Sequence, residues 1–295
     1  MLSYAFKDYV QFLLSGASTG CIYVLIALGL ITIYNVSGVI NLAQGEFVML
    51  GAMLAVVFYR QLHFPLWLAF LGAVLAIMLL GALVQRVTVY PARRAAEVTL
   101  IIITIGTAIA LRGIALLLWG TTSYSLPEFS PGPPLQLGGA VLARQRLWII
   151  GTAGIVLLLL YLFFEFTLLG KAVRACAINR QMAELLGINT QGMALLSYAI
   201  GGGLGAIAGV VIAPLALVSY DMGLSLGLKG FVVAIMGGMV NAPAAVVGGL
   251  ILGIVESFSA GLVSSGFKEA IAFVVLFVVL VGRTVPWENL FRRRP

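Results

Sequence analysis

Four polar residues stand close together at the opening of an apolar stretch, where their side chains could bind a polar solute. They are Asn35, Asn41, Gln44 and Glu46. Inside a bilayer such groups are costly unless they face protein or a water-filled path. Because amide side chains both donate and accept hydrogen bonds, they could replace the hydration of a solute that carries an amine and a carboxylate. The alternative is that Asn41 and Glu46 cap the start of a helix near the cytoplasmic interface.

A further asparagine stands in a similar setting. Residues 38–41, Gly-Val-Ile-Asn, and residues 238–241, Gly-Met-Val-Asn, share a glycine and an asparagine three positions apart where apolar runs are interrupted. Paired interruptions in the two halves of a transporter often mark the solute path. The candidate pathway residues are therefore Asn41, Gln44, Glu46 and Asn241. Arg112, inside another apolar run, is interpreted as snorkelling toward the nearer membrane surface.

Residues 170–187 form a charged segment with helical patterning between two long apolar runs. The pattern predicts two short helices, with Asn179 capping the second and Gly187 ending it. Such a surface could insert into a groove on a soluble partner, or it could lie flat on the membrane. We name residues 170–192 the coupling loop, and its predicted contact residues are Lys171, Arg174, Arg180, Glu184, Leu185, Leu186 and Gly187. Arg180 and Glu184 are spaced as an i, i+4 ion pair.

The composition places all these residues in a membrane protein. Hydrophobic residues make up 62% of the chain and charged residues 9%, whereas a soluble domain carries roughly 25% charged residues. We therefore predict an all-α, polytopic helical membrane protein with one transmembrane domain over residues 1–295. The net charge of +7 does not indicate nucleic acid, because the basic residues lie between apolar runs and at the chain end, as cytoplasmic anchors do.

We expect eight or nine membrane-crossing elements, including broken or re-entrant helices. Residues 35–46 make a polar, glycine-containing entry to the second element. Residues 224–238 are too short for a full span, and the break at residues 241–243 indicates a hairpin of partial or tilted helices. The apolar segments are at about 13–34, 47–59, 64–84, 98–119, 147–168, 193–214, 224–238, 244–258 and 268–281.

The basic residues also predict the orientation, since short cytoplasmic loops collect lysine and arginine. Residues 86–94, the coupling loop and the tail at 292–294 are all basic, and we predict that they are cytoplasmic. Residues 120–146, with four prolines, then form an extended external loop. Arg144 and Arg146 count against this assignment.

Glycines at four-residue spacing predict close helix packing. Catalytic chemistry has little support, because the sequence contains no phosphate-binding Gly-Lys-Ser or Gly-Lys-Thr loop and no plausible set of nucleophile and base. Cys21 and Cys176 form no paired motif, and His63 is the single histidine. We therefore expect neither a metal nor another cofactor. The spaced glycines are Gly16 with Gly20, Gly201 with Gly205 and Gly209, and Gly249 with Gly253.

Three stretches resemble the LivH type of permease from high-affinity branched-chain amino acid importers, which are ATP-binding-cassette systems of bacteria and archaea. They are residues 27–51, centred on Ile-Asn-Leu-Ala-Gln-Gly-Glu-Phe at 40–47, residues 174–189, and residues 237–253. Two features differ from the family pattern. Gln44 stands where the family commonly has histidine, and residues 283–287 differ from the usual ending.

The resemblance implies a multi-pass protein of the bacterial or archaeal inner membrane that carries branched-chain or related amino acids inward. It implies four partners: a second, LivM-like permease, two cytoplasmic ATPase subunits and an external solute-binding protein. The coupling loop then matches the segment expected to contact an ATPase. The alternative from the residues alone is a self-sufficient secondary carrier or channel for small polar solutes. An intramembrane enzyme is a third, disfavoured possibility.

Overall fold

The computed structural model describes residues 6–137, 140–262, 266 and 268–284. Within these residues the chain forms eleven α-helices, one π-helical segment at Gln85–Val89, and a hairpin of strands β1 (Leu135–Leu137) and β2 (Ala140–Leu142). The helices are α1 Phe6–Ser37, α2 Gln44–Arg60, α3 Leu66–Val84, α4 Glu97–Trp119, α5 Arg144–Phe166, α6 Leu168–Ile178, α7 Arg180–Leu185, α8 Thr190–Ile212, α9 Met222–Met236, α10 Ala242–Leu262 and α11 Lys268–Thr284.

The helices confirm the predicted all-α membrane class. Six of them are long and apolar enough to cross a membrane, namely α1, α3 with its π-helical extension, α4, α5, α8 and α10. Three shorter helices, α2, α9 and α11, have 17, 15 and 17 residues. Together these nine helices account for the predicted eight or nine crossing elements in the described part of the chain. Helices α6 and α7 join α5 to α8 and make up the predicted helix pair of the coupling loop.

Helix α1 lies at the centre of the bundle. In an apolar 18-residue stretch of α1, 83% of the residues are buried by protein, whereas in the corresponding stretch of α5 the share is 17%. A helix that is apolar all round is suited to such a position. Spaced glycines bring its main neighbour close, as predicted, since a Cβ atom on Gly20 would lie 2.6 Å from the carbonyl oxygen of Gly249 in α10. The outer helices leave their apolar side chains free to face lipid.

The chain re-enters the bundle between α1 and α2, as the polar opening predicted. Gly38, at φ +68°, turns the chain at the end of α1. Residues 39–43 then run back alongside α4, where Thr104 Oγ1 accepts a hydrogen bond from Leu42 N at 3.3 Å and lies 3.2 Å from the Ile40 carbonyl oxygen. Helix α2 therefore starts beside Gly29 of α1. At a rise of 1.5 Å per residue, Gly29 lies about 12 Å along α1 from the end of that helix at Ser37.

The second interruption matches the prediction in part. Helix α9 is short, as expected, but α10 has 21 residues and is a full span rather than a partial helix. The break is local because Pro243 stands in the first turn of α10, where a missing N–H costs no hydrogen bond. Asn241 precedes this turn, and its Oδ1 accepts a hydrogen bond from Ala244 N at 3.1 Å.

The two ends of the bundle carry different loops. Tyr90 and Arg93 line one small pocket with Arg180 and Gln191, so the basic gap after α3 and the coupling loop lie at the same end. At the opposite end, the loop between α4 and α5 contains the β1–β2 hairpin, and Tyr124 pairs with Val218. The predicted loop boundary at residue 146 is wrong, since α5 begins at Arg144. The last part of the basic tail, residues 292–294, lies outside the described residues.

The hydrogen bonds of Arg146 explain why this basic residue lies at the end opposite the basic cytoplasmic loops. It lies in the first turn of α5 and donates hydrogen bonds to the Ser15 carbonyl oxygen at 3.1 Å and to Ser18 Oγ at 2.9 Å. Because these partners belong to the first half of α1, this arginine joins two helices instead of anchoring a loop to the cytoplasmic surface. The contact also places the beginning of α1 at the end opposite the coupling loop.

Candidate functional site

A cavity of about 290 Å³ lies where helices α2 and α9 begin. It receives Asn41 from the re-entrant segment, Gln44 and Glu46 from the first turn of α2, and Arg112 from α4. Three of the four predicted pathway residues thus share one cavity. The remaining wall is mostly apolar and includes Leu30, Ile105, Ile109, Leu228 and Phe231.

Glu46 and Arg112 form an ion pair inside this cavity, with Arg112 Nη2 donating to Glu46 Oε1. The Glu46 side chain is 2% exposed and that of Arg112 is 25% exposed. The interpretation of Arg112 as a snorkelling side chain is therefore wrong. A carboxylate this deeply buried requires a charged partner, and Arg112 supplies it from a helix 66 positions further along the chain.

Gln44 joins two helices as well as lining the cavity. Its Nε2 donates a hydrogen bond to the Gly201 carbonyl oxygen in α8 at 2.8 Å, and its side chain lies against Gly29. The residue is 1% exposed. Half of the amide is therefore committed to holding α2 on α8, which leaves the carbonyl oxygen for the cavity.

Asn41 shapes the entry to α2. Its Oδ1 accepts a hydrogen bond from Ala43 N at 3.2 Å, and the residue is fully buried. The first residue before the helix is Ala43, which makes no side-chain cap. The first helical amides of α2 therefore receive no side-chain cap, which contradicts the capping alternative, and Asn41 instead stabilises the turn before the helix.

Asn241 does not reach this cavity. It is exposed at the start of α10 and lines a larger cavity of about 610 Å³, together with Asn35, Glu165 and Arg174. Asn35 Nδ2 lies 3.4 Å from the Val240 carbonyl oxygen. Gly38 and Gly238 both have positive φ, at +68° and +69°. Asn41 and Asn241 nevertheless line different cavities.

A second buried charge network was missed by the sequence analysis. Lys229 Nζ lies 2.6 Å from Glu256 Oε1, and Tyr23 Oη donates to Glu256 Oε2 at 2.7 Å. Lys229 and Glu256 are 13% and 6% exposed. The available signal was the presence of two ionisable residues inside apolar segments, which in membranes are typically paired. The network joins α1, α9 and α10.

The coupling loop has one anchored face. Val173, Cys176 and Ala183 pack in a cluster with Val36 of α1 and Ala194 of α8. Both predicted end signals of the second helix are confirmed, because Asn179 Oδ1 accepts from Met182 N at 3.0 Å and Gly187 has φ +82°. The pair of helices is therefore held firmly on the bundle.

The other face of the coupling loop is exposed and partly apolar. Leu185 and Leu186 are 81% and 79% exposed. Lys171 is exposed, Arg174 pairs with Glu165 at 2.6 Å, and the predicted pair of Arg180 and Glu184 is present at 3.6 Å. A surface that combines exposed leucines with a rim of charges resembles the apolar centre and polar rim of protein interfaces.

Glu184 also connects the coupling loop to the next helix. Thr190 Oγ1, in the first turn of α8, donates to Glu184 Oε1 at 2.5 Å. This hydrogen bond, together with the positive charge of Arg180, lowers the pKa of the Glu184 carboxyl. The carboxylate form is thus favoured where α7 meets α8.

Known proteins resemble this chain over nearly its whole length. The family described as the branched-chain amino acid transport system permease component matches residues 12–281. LivH of Escherichia coli strain K12, named a high-affinity branched-chain amino acid transport system permease protein, is 31% identical, with 95% of each chain covered. LivH of Salmonella typhimurium is 30% identical with the same coverage. BraD of Pseudomonas aeruginosa is 31% identical over 93% of this chain and 94% of its own.

A solved structure has a similar fold. One chain of PsaBC from Streptococcus pneumoniae, in complex with a Fab, aligns with a TM-score of 0.50 and 13% identity, over 94% of this chain and 93% of the other. This similarity concerns the helix arrangement alone. The sequence matches confirm the resemblance identified from residues 27–51, 174–189 and 237–253: the chain belongs to the permease family of branched-chain amino acid transport systems, and it is a multi-pass inner-membrane transport subunit.

Proposed function

We propose that this chain is the membrane permease of an ATP-binding-cassette importer that carries branched-chain amino acids into the cytoplasm. It works with a second, related permease, two cytoplasmic ATPase subunits and an external solute-binding protein. ATP is hydrolysed on the ATPase subunits, and this chain catalyses no covalent reaction. The curated relatives support the substrate class, since each carries branched-chain amino acid transport in its name.

The observation that carries the proposal is the two-faced coupling loop. Its inner face is fixed to α1 and α8 by Val173, Cys176 and Ala183, while Leu185 and Leu186 point away from the bundle. A force applied to this outer face would pass directly into two central helices. An ATPase that fits these leucines into a groove could therefore move α1 and α8 when it closes on ATP.

The solute pathway is proposed to pass the cavity at the starts of α2 and α9. Asn41, Gln44 and Glu46 place polar groups inside an otherwise apolar wall, as a path for a polar solute requires. Asn241, which lines the larger cavity near α5 and α6, is assigned to the cytoplasmic end of the route. Helices α2 and α9 both begin inside the bundle, an arrangement that transporters use at their solute sites.

A self-sufficient carrier or channel is the competing function. The observation that favours it is the buried pair of Lys229 and Glu256, because intramembrane charges can relay protons. That carrier would move leucine down or against a gradient without ATP. The importer requires both ATP and the ATPase subunits for uptake.

Co-purification and transport can separate these functions. The variant L185S/L186S is compared with the matched variant L215S/L217S, which changes two exposed leucines at the opposite end of the bundle. We expect the first to lose the ATPase subunits on affinity purification and to lose ATP-driven leucine uptake in proteoliposomes. The second should retain both. ATP-driven uptake by L185S/L186S at the wild-type rate would refute the coupling role, and leucine flux by the isolated chain would favour the carrier.

A further inference from the structure

We propose that the ion pair of Glu46 and Arg112 is the recognition element for the head group of the transported amino acid. The substrate enters between the two side chains, so that its α-ammonium group binds the Glu46 carboxylate and its α-carboxylate binds the Arg112 guanidinium. This inference rests on the proposed transport function and assigns to two residues the discrimination of the substrate's charges.

The first support is the position of the pair. Glu46 is 2% exposed and Arg112 is 25% exposed, so separating the two charges without replacement would leave an uncompensated charge in the bundle. A zwitterion brings a replacement for both partners at once. A simple cation or anion would satisfy one residue and strand the other. The pair therefore opens at low cost only for a solute that carries both charges.

Unused hydrogen-bonding groups surround the pair. Among the described residues, no protein atom hydrogen-bonds to the buried atoms Glu46 Oε2, Gln44 Oε1, Asn41 Nδ2 or Arg112 Nε, and all four side chains line the cavity. Two of these atoms are acceptors suited to an ammonium group, and two are donors suited to a carboxylate. Because buried polar groups are rarely left unpaired, this set indicates a ligand with both kinds of group.

The helix ends contribute to the same preference. The first turn of α2 contributes Gln44, Gly45 and Glu46 to the cavity, and the first turn of α9 contributes Gly223 and Leu224. The N-terminal end of a helix carries a partial positive charge that favours anionic groups. Two such ends, next to Arg112, make the cavity a favourable place for the α-carboxylate.

The apolar wall accounts for the rest of the substrate. Leu30, Ile105, Ile109, Leu228 and Phe231 lie around the charged pair and can cover an aliphatic side chain. The cavity volume of about 290 Å³ is just below the roughly 300–1,000 Å³ typical of small-molecule sites. A small amino acid with a branched aliphatic side chain matches both the charges and the size.

A neutral double variant tests the proposal in the complete transporter. E46Q/R112Q removes both charges together, so neither partner is left as an unpaired buried ion. We expect the complex to assemble and its ATPase to respond to the binding protein, while leucine uptake into proteoliposomes falls by at least about tenfold, since both charged contacts to the substrate are lost.

The matched control is K229Q/E256Q, which neutralises the other buried pair outside the cavity. It should retain leucine uptake close to the wild-type rate. Wild-type uptake by E46Q/R112Q would overturn the recognition role and leave the proposed function intact. A wild-type complex that shows no ATP-driven leucine uptake would instead refute the proposed function.

A ligand series on the wild-type complex keeps the test independent of variant folding. Millimolar leucine, leucine methyl ester, which lacks the carboxylate, and 4-methyl-2-oxopentanoate, which lacks the ammonium group, are each added to the complex without its binding protein. Leucine should raise the melting temperature, because a ligand stabilises the state it binds, and neither analogue should. An analogue that stabilises as much as leucine, or leucine without any shift, would contradict the proposal.

Discussion

Gly45 and Gly223 are in backbone contact where helices α2 and α9 begin, and a Cβ atom on Gly223 would lie 2.7 Å from the Gly45 carbonyl oxygen. Neither glycine was a candidate in the sequence analysis. Their contact lets two helix ends meet beside Glu46, since a Cβ atom on Gly223 would also lie 2.9 Å from Glu46 Oε2. The size of the candidate cavity therefore depends on Gly45 and Gly223 having no side chain.

The first prediction concerns this contact. In G45A the added methyl group would meet the Gly223 carbonyl and, at 2.9 Å, the Gly227 Cα atom. We expect a loss of about 1–3 kcal/mol in stability from overpacking and slower leucine uptake, measured by melting of the purified complex and by proteoliposome transport. G106A is the control, because in the described part of the chain no atom outside the adjoining backbone of its own helix lies within 4 Å of the new Cβ atom. Equal effects of the two changes would show that close helix contact is unimportant.

The second prediction concerns the support of the re-entrant segment. In T104V the part-buried Leu42 N–H loses its acceptor, and an unsatisfied group costs about 1–3 kcal/mol when it is fully buried and less when water can reach it. The melting temperature should fall, and protease cleavage within the re-entrant segment, residues 38–43, should increase. T107V is a matched control, since Thr107 donates only to the Ile103 carbonyl oxygen of its own helix at 2.8 Å among the described contacts. No difference between the variants would remove the bridging role from Thr104.

The third prediction concerns the network of Tyr23, Lys229 and Glu256. K229M leaves the Glu256 carboxylate buried without its cation, which typically costs about 3–5 kcal/mol. The double variant K229M/E256L removes both charges and should regain much of that loss. Arg174 pairs with Glu165 at the surface, where such pairs contribute about 0–1 kcal/mol, so R174M should melt near the wild type. Equal melting of K229M and K229M/E256L would contradict this account.

The fourth prediction is a pH dependence at the coupling loop. Thr190 lowers the pKa of Glu184 below its ordinary value of 4.5 in the folded protein. A carboxyl with a depressed folded pKa adds stability above its unfolded pKa and loses it as the pH falls through the folded value. The difference in melting temperature between wild type and T190V should thus be constant at neutral pH and shrink below about pH 4.5. The control compares E184Q with E184Q/T190V, and the difference in melting temperature between these two variants should not change as the pH falls.

Local sequence signals predicted local structure well. Asn179 and Gly187 predicted the bounds of α7 because a cap and a left-handed glycine act within one helical turn. The spaced glycines of α1 and α10 predicted close packing for a similar reason. The re-entrant entry to α2 was also predictable, since Gly38 and the polar residues after it stand together in the sequence.

Distant pairings were not predictable from one sequence. Glu46 and Arg112 meet only because α2 and α4 are neighbours, and no residue near Arg112 indicates its partner. The same applies to Arg146, whose hydrogen bonds to α1 depend on the helix arrangement. The position of Asn241 was unpredictable for the opposite reason: its local sequence matches that of Asn41, but the helices around it place it at another cavity.

The central position of α1 has a consequence for biosynthesis. This helix leaves the ribosome before its main neighbours α8 and α10, which begin more than 150 residues after α1 ends. Until then Tyr23 lacks Glu256, and Gly16 and Gly20 lack the helix that packs on them. The nascent α1 must therefore wait in the insertion machinery or in lipid with its polar and small residues uncovered, and this part of the bundle can close only after α10 has been synthesised.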